Sequence, residues 1–547
     1  MTSRIIPPEI LEHIFQEVDE PLDLLSFALA SKWHAEVAQR YLPYSYIRCD
    51  VARLEVWDTF QKKPILARRV RRLEIVEEDS LLKSAAIIIP QSLLSNIDTG
   101  ASDPKSLQEY NKIYEHCIPQ LLRALQEMHN LRRFHWLPCT SSARNVYFAG
   151  IVHDTLAKYC PNVQEMHGYV GEPCISTSCP GRAGPRPSCD YVLRTRMLCP
   201  FQNLSSVYLV LTSKTRHGQE GWTSFFDELM SNNPALKNLH IERPDSEEWQ
   251  NMDMKTLLYK TRWPRLSRFS VKGNIRLLPM SPVTPNRDEL MAQFLIRHPM
   301  LRSLQLRTYY GPQWSKERLE AVKDLPGLPR LQSLDIGGYL PLNGIPLSML
   351  SSLEYLALHE TPATDWLKFD LKDFGRLDAL RHATSLKVLA VPPQILGTIK
   401  TLATVIPSLG RIQFLRDPTF QFKKGANETV PVNFAASKMK AFALFKELSH
   451  LGGFLVAINP TAGGHRTFDK MLQGLANSTQ LQFMEIFDEL QEVPRWLEIE
   501  RNEEGSYSGW HFVKDRTDLH YESWGNMLPG MSVLLPHRNR LGFSGRM

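Results

Sequence analysis

The sequence predicts an α/β chain: a short N-terminal helical module followed by a long, irregular stack of strand–turn–helix repeats. Three observations predict it. A phrase Leu-x-x-Leu-x-Leu recurs between residues 131 and 481, at a mean interval of about 32 residues. Self-similarity at 20 to 50 residues marks stacked units that bury their apolar faces against neighbours. The first 45 residues lack the phrase, have apolar residues at helical spacing, and carry seven acidic side chains against three basic ones in a chain of net charge +6.

The helical module comes first. Ile10, Leu11, Ile14, Phe15 and Val18 fall on one helical face. Pro7 and Pro8 suit a helix start, where a missing N–H costs little. Pro21 interrupts the pattern, a second helix runs from Leu22 through Leu29, and a third from about Trp33 to Leu42. Three helices this short cannot bury all these apolar positions among themselves, so the segment either docks on the rest of the chain or receives a partner.

The repeats follow. The clearest begin at Leu131, Leu204, Leu236, Leu266, Leu301, Leu331, Leu353 and Leu386, with weaker copies from Leu54, Leu73, Val163, Leu409, Leu451 and Leu481. Leu-x-Leu alternation fits a short strand with one buried side. Helices are expected at 222–230, 288–297 and 441–448. Several copies enter through a proline turn: Cys160-Pro161, Asn233-Pro234, Trp263-Pro264, His298-Pro299 and Ile406-Pro407. The reading gives a helical module at 1–45, a solenoid at 46–535 with inserts near 80–118, 171–200, 273–288 and 415–436, and a flexible tail at 536–547.

Composition excludes several classes. Hydrophobic residues are 43% and charged residues 22%, a globular balance. The apolar run at Ala85–Ile89 ends at Pro90, far short of a membrane span. MTSRIIPPEI has no apolar core, so no secretory signal is expected. Eight cysteines in 547 residues point to a reducing compartment, cytoplasmic and/or nuclear. A net charge of +6 is too mild to imply nucleic acid.

Motifs that carry chemistry are sparse. Cys174, Cys179, Cys189 and Cys199 are dense enough to raise structural zinc, but lack the C-x2-C knuckle and read as an unliganded insert. The stretch Phe454–Gly464, an apolar strand ending in N-P-x-x-G-G, resembles the nucleotide loop of diacylglycerol- and sphingosine-kinase-like enzymes. It lacks their downstream G-G-D-G-T motif and sits in register with the repeats. Arg68, Arg69, Arg71 and Arg72 read as the solvated flank of a strand rather than a nucleic-acid patch. With no H-E-x-x-H, G-x-S-x-G, G-x-G-x-x-G or paired C-x-x-C, no catalytic residue, metal or cofactor is expected.

The repeat phrase resembles leucine-rich repeats, although the Asn or Cys expected three residues after the last Leu is mostly missing. Orphan backbone groups in the turns must then find other partners. The N-terminal residues Ile6-Pro7-Pro8-Glu9-Ile10-Leu11, Ile14-Phe15 and Asp23 through Trp33 resemble the F-box. Arg40-Tyr41-Leu42 and Tyr46–Cys49 look like the exit into repeats in fungal F-box proteins. Ser31-Lys32-Trp33 is one residue shorter than the usual Ser-Lys-x-Trp spacing. The resemblance implies a non-catalytic substrate receptor of an SCF-type ubiquitin ligase, docking on the Skp adaptor and through it on cullin. Its adaptor-binding residues would be Ile6, Pro7, Pro8, Glu9, Ile10, Leu11, Ile14, Phe15, Leu22, Leu25 and Trp33. A curved parallel sheet would present residues between the leucines to an unidentified protein substrate: Asn238, His240, Glu242, Arg268, Lys272, Gln305, Arg307, Asp335, Tyr355 and His359. The alternative is a repeat scaffold without a ligase role, whose N-terminal helices cap the first strand.

Overall fold

The structure is a computed structural model that describes residues 7, 10–11, 14–15, 18, 21–38, 42–76, 107–137, 143–170, 201–211, 219–243, 252–253, 255–276, 293–310, 330–337, 347–359, 379–392, 398–415, 439–453, 457–458, 465–488 and 493–513. The chain divides into two compact units, residues 1–250 and 251–547. Each is α/β, built on an open and mostly parallel sheet.

In the first unit, Ile10, Leu11, Ile14 and Phe15 are helical. Helices α1 (Pro21–Ala30), α2 (Lys32–Ala38) and α3 (Leu42–Ser45) follow. Pro21 opens α1, where its missing N–H is harmless. The Ser31 hydroxyl accepts the His34 N–H and so caps α2. α3 runs directly into β1 (Tyr46–Cys49), followed by α4 (Leu54–Lys62), α5 (Pro64–Ala67), β2 (Arg72–Val76), α6 (Leu107–Gln126), β3 (Arg133–Leu137), α7 (Ala143–Tyr159), β4 (Glu165–Val170), β5 (Ser206–Leu211), α8 (Gln219–Asn232) and β6 (Asn238–Arg243). β1 through β6 pair in chain order, all parallel. Ile47, Leu73, Phe134, Met166, Val207 and Leu239 share one register row and are all buried. A slip of one residue would turn this row to the opposite face, so the alternation fixes the register.

The second unit holds β7 (Met252–Asp253), α9 (Lys255–Lys260), β8 (Arg268–Arg276), β9 (Ser303–Tyr310), β10 (Ser333–Gly337), α10 (Leu347–Ser352), β11 (Tyr355–His359), β12 (Val388–Val391), α11 (Ile399–Val405), β13 (Arg411–Phe414), β14 (His450–Gly452), β15 (Ala457–Ile458), α12 (His465–Ser478), β16 (Phe483–Asp488), β17 (Val493–Arg501) and β18 (Tyr507–Phe512). The ladder is parallel from β7 to β16. Phe269, Leu304, Leu334, Leu356, Leu389, Ile412, Leu451 and Met484 make its buried row.

The missing turn Asn or Cys is replaced from the other end of the phrase. Asn233, ahead of its proline, accepts from Leu204 N (2.7 Å) and donates to Phe201 O (3.1 Å) and Leu229 O (3.2 Å). At the same place, His298 Nε2 accepts from Trp263 N, and Cys160 Sγ reaches Leu125 O. Each side chain closes backbone groups of the preceding coil. Asn233→Ala is therefore expected to leave buried groups unsatisfied and to lower unfolding free energy by about 3 kcal/mol, measured by urea denaturation.

Several expectations need correction. Leu54 opens helix α4 rather than a repeat strand, its apolar residues at helical spacing burying Val56, Trp57 and Phe60. The strand at Leu73 begins its phrase at Val70, and the one at Leu451 begins at Leu448, each three residues early. Residues 107–118 of the expected insert belong to α6, and 273–276 belong to β8. Residues 439–442 are helical where 441–448 was expected. The parallel stack does not continue to 535: β17 and β18 pair antiparallel beyond β16. Their turn uses Gly505 at φ +77°, and the hairpin covers the last parallel edge. Of the two fates expected for the helical module, a contact with the rest of the chain is present: Arg71 Nη1 donates to Val18 O at 2.7 Å. The tail at 536–547 and most of the expected inserts lie outside the described residues.

Beneath β4 lies a buried histidine on α7. His153 is fully buried, both ring nitrogens lack partners among the described residues, and Phe134 packs edge-on at 6.3 Å. Gly168 makes room for it: a Cβ there would sit 2.9 Å from His153 Cε1. Burial pushes the imidazole down to about 4. Below its ordinary value near 6.5 the unfolded chain takes up a proton that the folded chain refuses, so stability falls with acidification. Between pH 7.5 and 5 this site is expected to cost about 2 kcal/mol. His153→Leu should flatten that part of the pH dependence, read from urea midpoints at both pH values.

Candidate protein-binding surfaces

The N-terminal helices make a small core of their own. Leu11 (1% exposed) and Phe15 (0%) pack with Val37 and Ala38, with Val18, Ala28 and Trp33 against them. Phe27 meets the Phe15 ring edge-on at 5.8 Å. Leu11 and Phe15 therefore hold the module together and do not line its surface, a correction to the expected adaptor set. The cause is the module's own three-helix packing, which consumes one stripe of the first helix. Trp33 and Ile14 are half-buried, and Pro7 is exposed. Ile10 (52%), Leu25 (46%), Phe27 (38%) and Leu29 (78%) remain exposed. Phe27 and Leu29 were absent from the expected set, though the sequence places them on the same helix as Leu25. Ile6, Pro8, Glu9 and the Leu22 side chain lie outside what is described.

On the first unit's sheet, the face away from the leucine row carries one continuous polar ladder. Parallel register aligns Arg48, Glu74, His135, His167, Tyr208 and His240 across six strands. Glu74 is nearly inaccessible and gathers Tyr46 OH (2.8 Å), Arg72 Nε (2.9 Å), His135 Nδ1 (3.3 Å) and Arg48 Nε (3.6 Å). His135 Nε2 faces Glu165 Oε1 at 3.1 Å, so both ring nitrogens meet carboxylates. Burial opposes the imidazolium, yet the bonds to Glu165 and Glu74 outweigh it and raise the pKa. Burial likewise opposes the Glu74 carboxylate, and His135 and Arg72 overcome it, holding Glu74 far below the usual carboxylate range. The ladder continues as rings: His167 to Tyr208 at 3.9 Å, then Tyr208 stacked on His240 at 4.0 Å. Tyr208 OH donates to Glu242, which also lies 3.6 Å from His240 Nε2.

Of the expected substrate residues, Asn238, His240 and Glu242 lie half-buried on this face. The sequence reading missed Glu74, His135, Glu165, His167 and Tyr208. They hold the same between-leucine positions in the earlier copies, so the phrase itself carried the signal. The basic run is also spent here: Arg71 is buried on Val18 O, Arg72 binds Glu74, and Arg68 lies 3.7 Å from Glu127. It is not a solvated flank throughout.

On the second unit, Ser270 donates to Gln305 (2.6 Å), Gln305 to Asp335 (2.7 Å), and Arg307 grips both Asp335 oxygens through Nε at 3.0 Å. Asp335 is thereby buried rather than displayed. Tyr355 departs further: it is 3% exposed in an apolar cluster with Ala357, Val388, Ala390 and Leu415, and Trp496 packs against it. The cause is β12, which is buried on both faces and reads as a continuous apolar run rather than an alternation. The side chain of His359 lies outside those described. Arg268 and Lys272 are half-buried on β8.

Among the described residues, no group of three His, Cys, Asp or Glu side chains is placed to hold a metal ion, and no helix is long and apolar enough to cross a membrane. Cys174, Cys179, Cys189 and Cys199, and the glycines of the kinase-like stretch at Gly463 and Gly464, lie outside the described residues. Burial pushes the Cys117 thiol up to about 11 and Cys160 to about 12, values that suit structural rather than reactive thiols. No protein-family model matches the chain, and no curated protein matches it significantly in sequence.

Proposed function

We propose that the chain is a non-catalytic substrate receptor of an SCF-type ubiquitin ligase, its N-terminal helices docking on a Skp-type adaptor and its sheet faces holding a protein substrate. One observation carries the reading: Ile10, Leu25, Phe27 and Leu29 are exposed on a module whose core is already filled by Leu11, Phe15, Val37 and Ala38. Large apolar side chains left outside a completed core suit an interface core, and the acidic residues of the segment suit its rim. The receptor contributes proximity: holding substrate near a conjugating enzyme raises the effective concentration of substrate lysines. The chemistry then belongs to the partners.

The test is affinity capture of the tagged chain from cells, with Ile10→Ala, Leu25→Ala and Leu29→Ala combined. The wild-type chain brings down the adaptor and cullin, and the triple variant does not. Leu11→Ala is the wrong probe, because it would collapse the module. A second reading, a repeat scaffold capped by the N-terminal helices, draws on the hydrogen bond from Arg71 to Val18 O. It predicts a chain that captures no ligase component and is indifferent to the triple substitution.

A further inference from the structure

The polar faces of the two units differ in how their charge is spent. In the first unit, Glu74 and Glu165 absorb Arg72 and His135, and approach Arg48 and Arg133. In the second unit, the described face of β8 to β10 carries Arg268, Lys272 and Arg307, with Arg302 beside Arg268, and Asp335 as its acid. Arg307 is committed to Asp335, a pair that is 15% and 4% exposed. Arg268 and Lys272 have no side-chain partner among the described residues. Burial, and then the charge of Arg302, lowers the Arg268 guanidinium to about 10. A half-buried cation beside a second cation is stabilised by whatever anion arrives.

We propose that the face of β8 to β10 binds an acidic segment of a partner protein, its carboxylates seated on Arg268 and Lys272. This rests on reading the sheet faces as partner-binding surfaces. Arg268 and Lys272 lie four residues apart on one side of a strand, roughly 13 Å. Carboxylates four residues apart in an extended segment match that span. The Arg268 guanidinium offers the planar fork that fits a carboxylate with two parallel hydrogen bonds. Ser270 and Gln305, joined to each other by a hydrogen bond, form a polar floor between the two cations. Lys272 aligns with Arg307 across the ladder, but Asp335 neutralises Arg307, so the uncompensated charge of this face is that of Arg268 and Lys272.

The experiment is fluorescence anisotropy of the full chain with a labelled alternating Glu-Ala peptide, and with its Gln-Ala counterpart. Binding is expected for the first, weakening with added salt, and not for the second. Arg268→Gln with Lys272→Gln should weaken it about tenfold or more. Lys446→Gln, an exposed control, should change it less than twofold. Lys272→Glu alone tests the site without touching the more buried Arg268. Wild-type binding by both the double variant and Lys272→Glu would overturn the proposal. So would equal loss from Lys446→Gln, or binding of a phosphoserine peptide or single-stranded nucleic acid without the Glu-Ala peptide. The N-terminal triple variant should bind the peptide normally, so loss of adaptor capture and loss of peptide binding report separate failures.

Discussion

Glu74→Ala is expected to lower the unfolding free energy of the first unit by about 4 kcal/mol, the range for removing one partner of a buried charge cluster. The carboxylate is 2% exposed and serves four groups from three strands: Tyr46 and Arg48 on β1, Arg72 on β2, and His135 on β3. Its loss would leave Arg48 and Arg72 without their main counter-charge, since the remaining carboxylate that acts on Arg72, Glu165, is shared with His135 and Arg133. The Tyr46 phenol, now held well above its usual pKa by burial and by Glu74, should titrate nearer its ordinary value. Urea denaturation gives the first quantity and ultraviolet titration of the phenol the second. Glu74→Gln should cost less, because an amide oxygen still accepts from Arg72 and Tyr46.

Gly453→Ala is the second large effect. Gly453 follows β14 at φ +69°, and a Cβ there would lie 2.0 Å from the Phe414 carbonyl oxygen. A backbone atom cannot swing aside as a side chain can, so strand β13 or the turn itself must move. Left-handed strain of about 1 kcal/mol and overpacking of about 2 kcal/mol combine to about 3 kcal/mol. Gly505→Ala is the matched comparison. Its φ is +77°, but nothing lies within 4 Å of the added carbon, so the strain of about 1 kcal/mol stands alone. Thermal melting of both variants should show Gly453→Ala falling well below Gly505→Ala.

The register of the strands was legible because Leu-x-x-Leu-x-Leu writes burial directly into spacing. Every strand predicted from a clear copy is present, and their leucines form the buried rows. What escaped the sequence were features set by neighbours in space. Tyr355 and Asp335 occupy display positions in the phrase, yet one is covered by an apolar cluster and the other by Arg307. Their fates depend on residues tens of positions away. The β17–β18 hairpin escaped because the repeat pattern was extended past its last copy at Leu481. In the helical module, periodicity located the apolar stripe of the first helix but not which of its members the second and third helices would cover. That is why Leu11 and Phe15 are core while Ile10 is exposed.

The most direct measurement is calorimetric titration of the purified full chain with a purified Skp-type adaptor. Saturable one-to-one binding is expected. Affinity should fall about 100-fold when Ile10, Leu25 and Leu29 are together replaced by alanine, at roughly 1 kcal/mol per truncated interface side chain. The triple variant should stay folded, with an unfolding midpoint close to wild type, because those side chains lie outside the module's core. An absence of binding at adaptor concentrations of tens of micromolar, or equal affinity for the wild-type chain and the triple variant, would contradict the proposed receptor role.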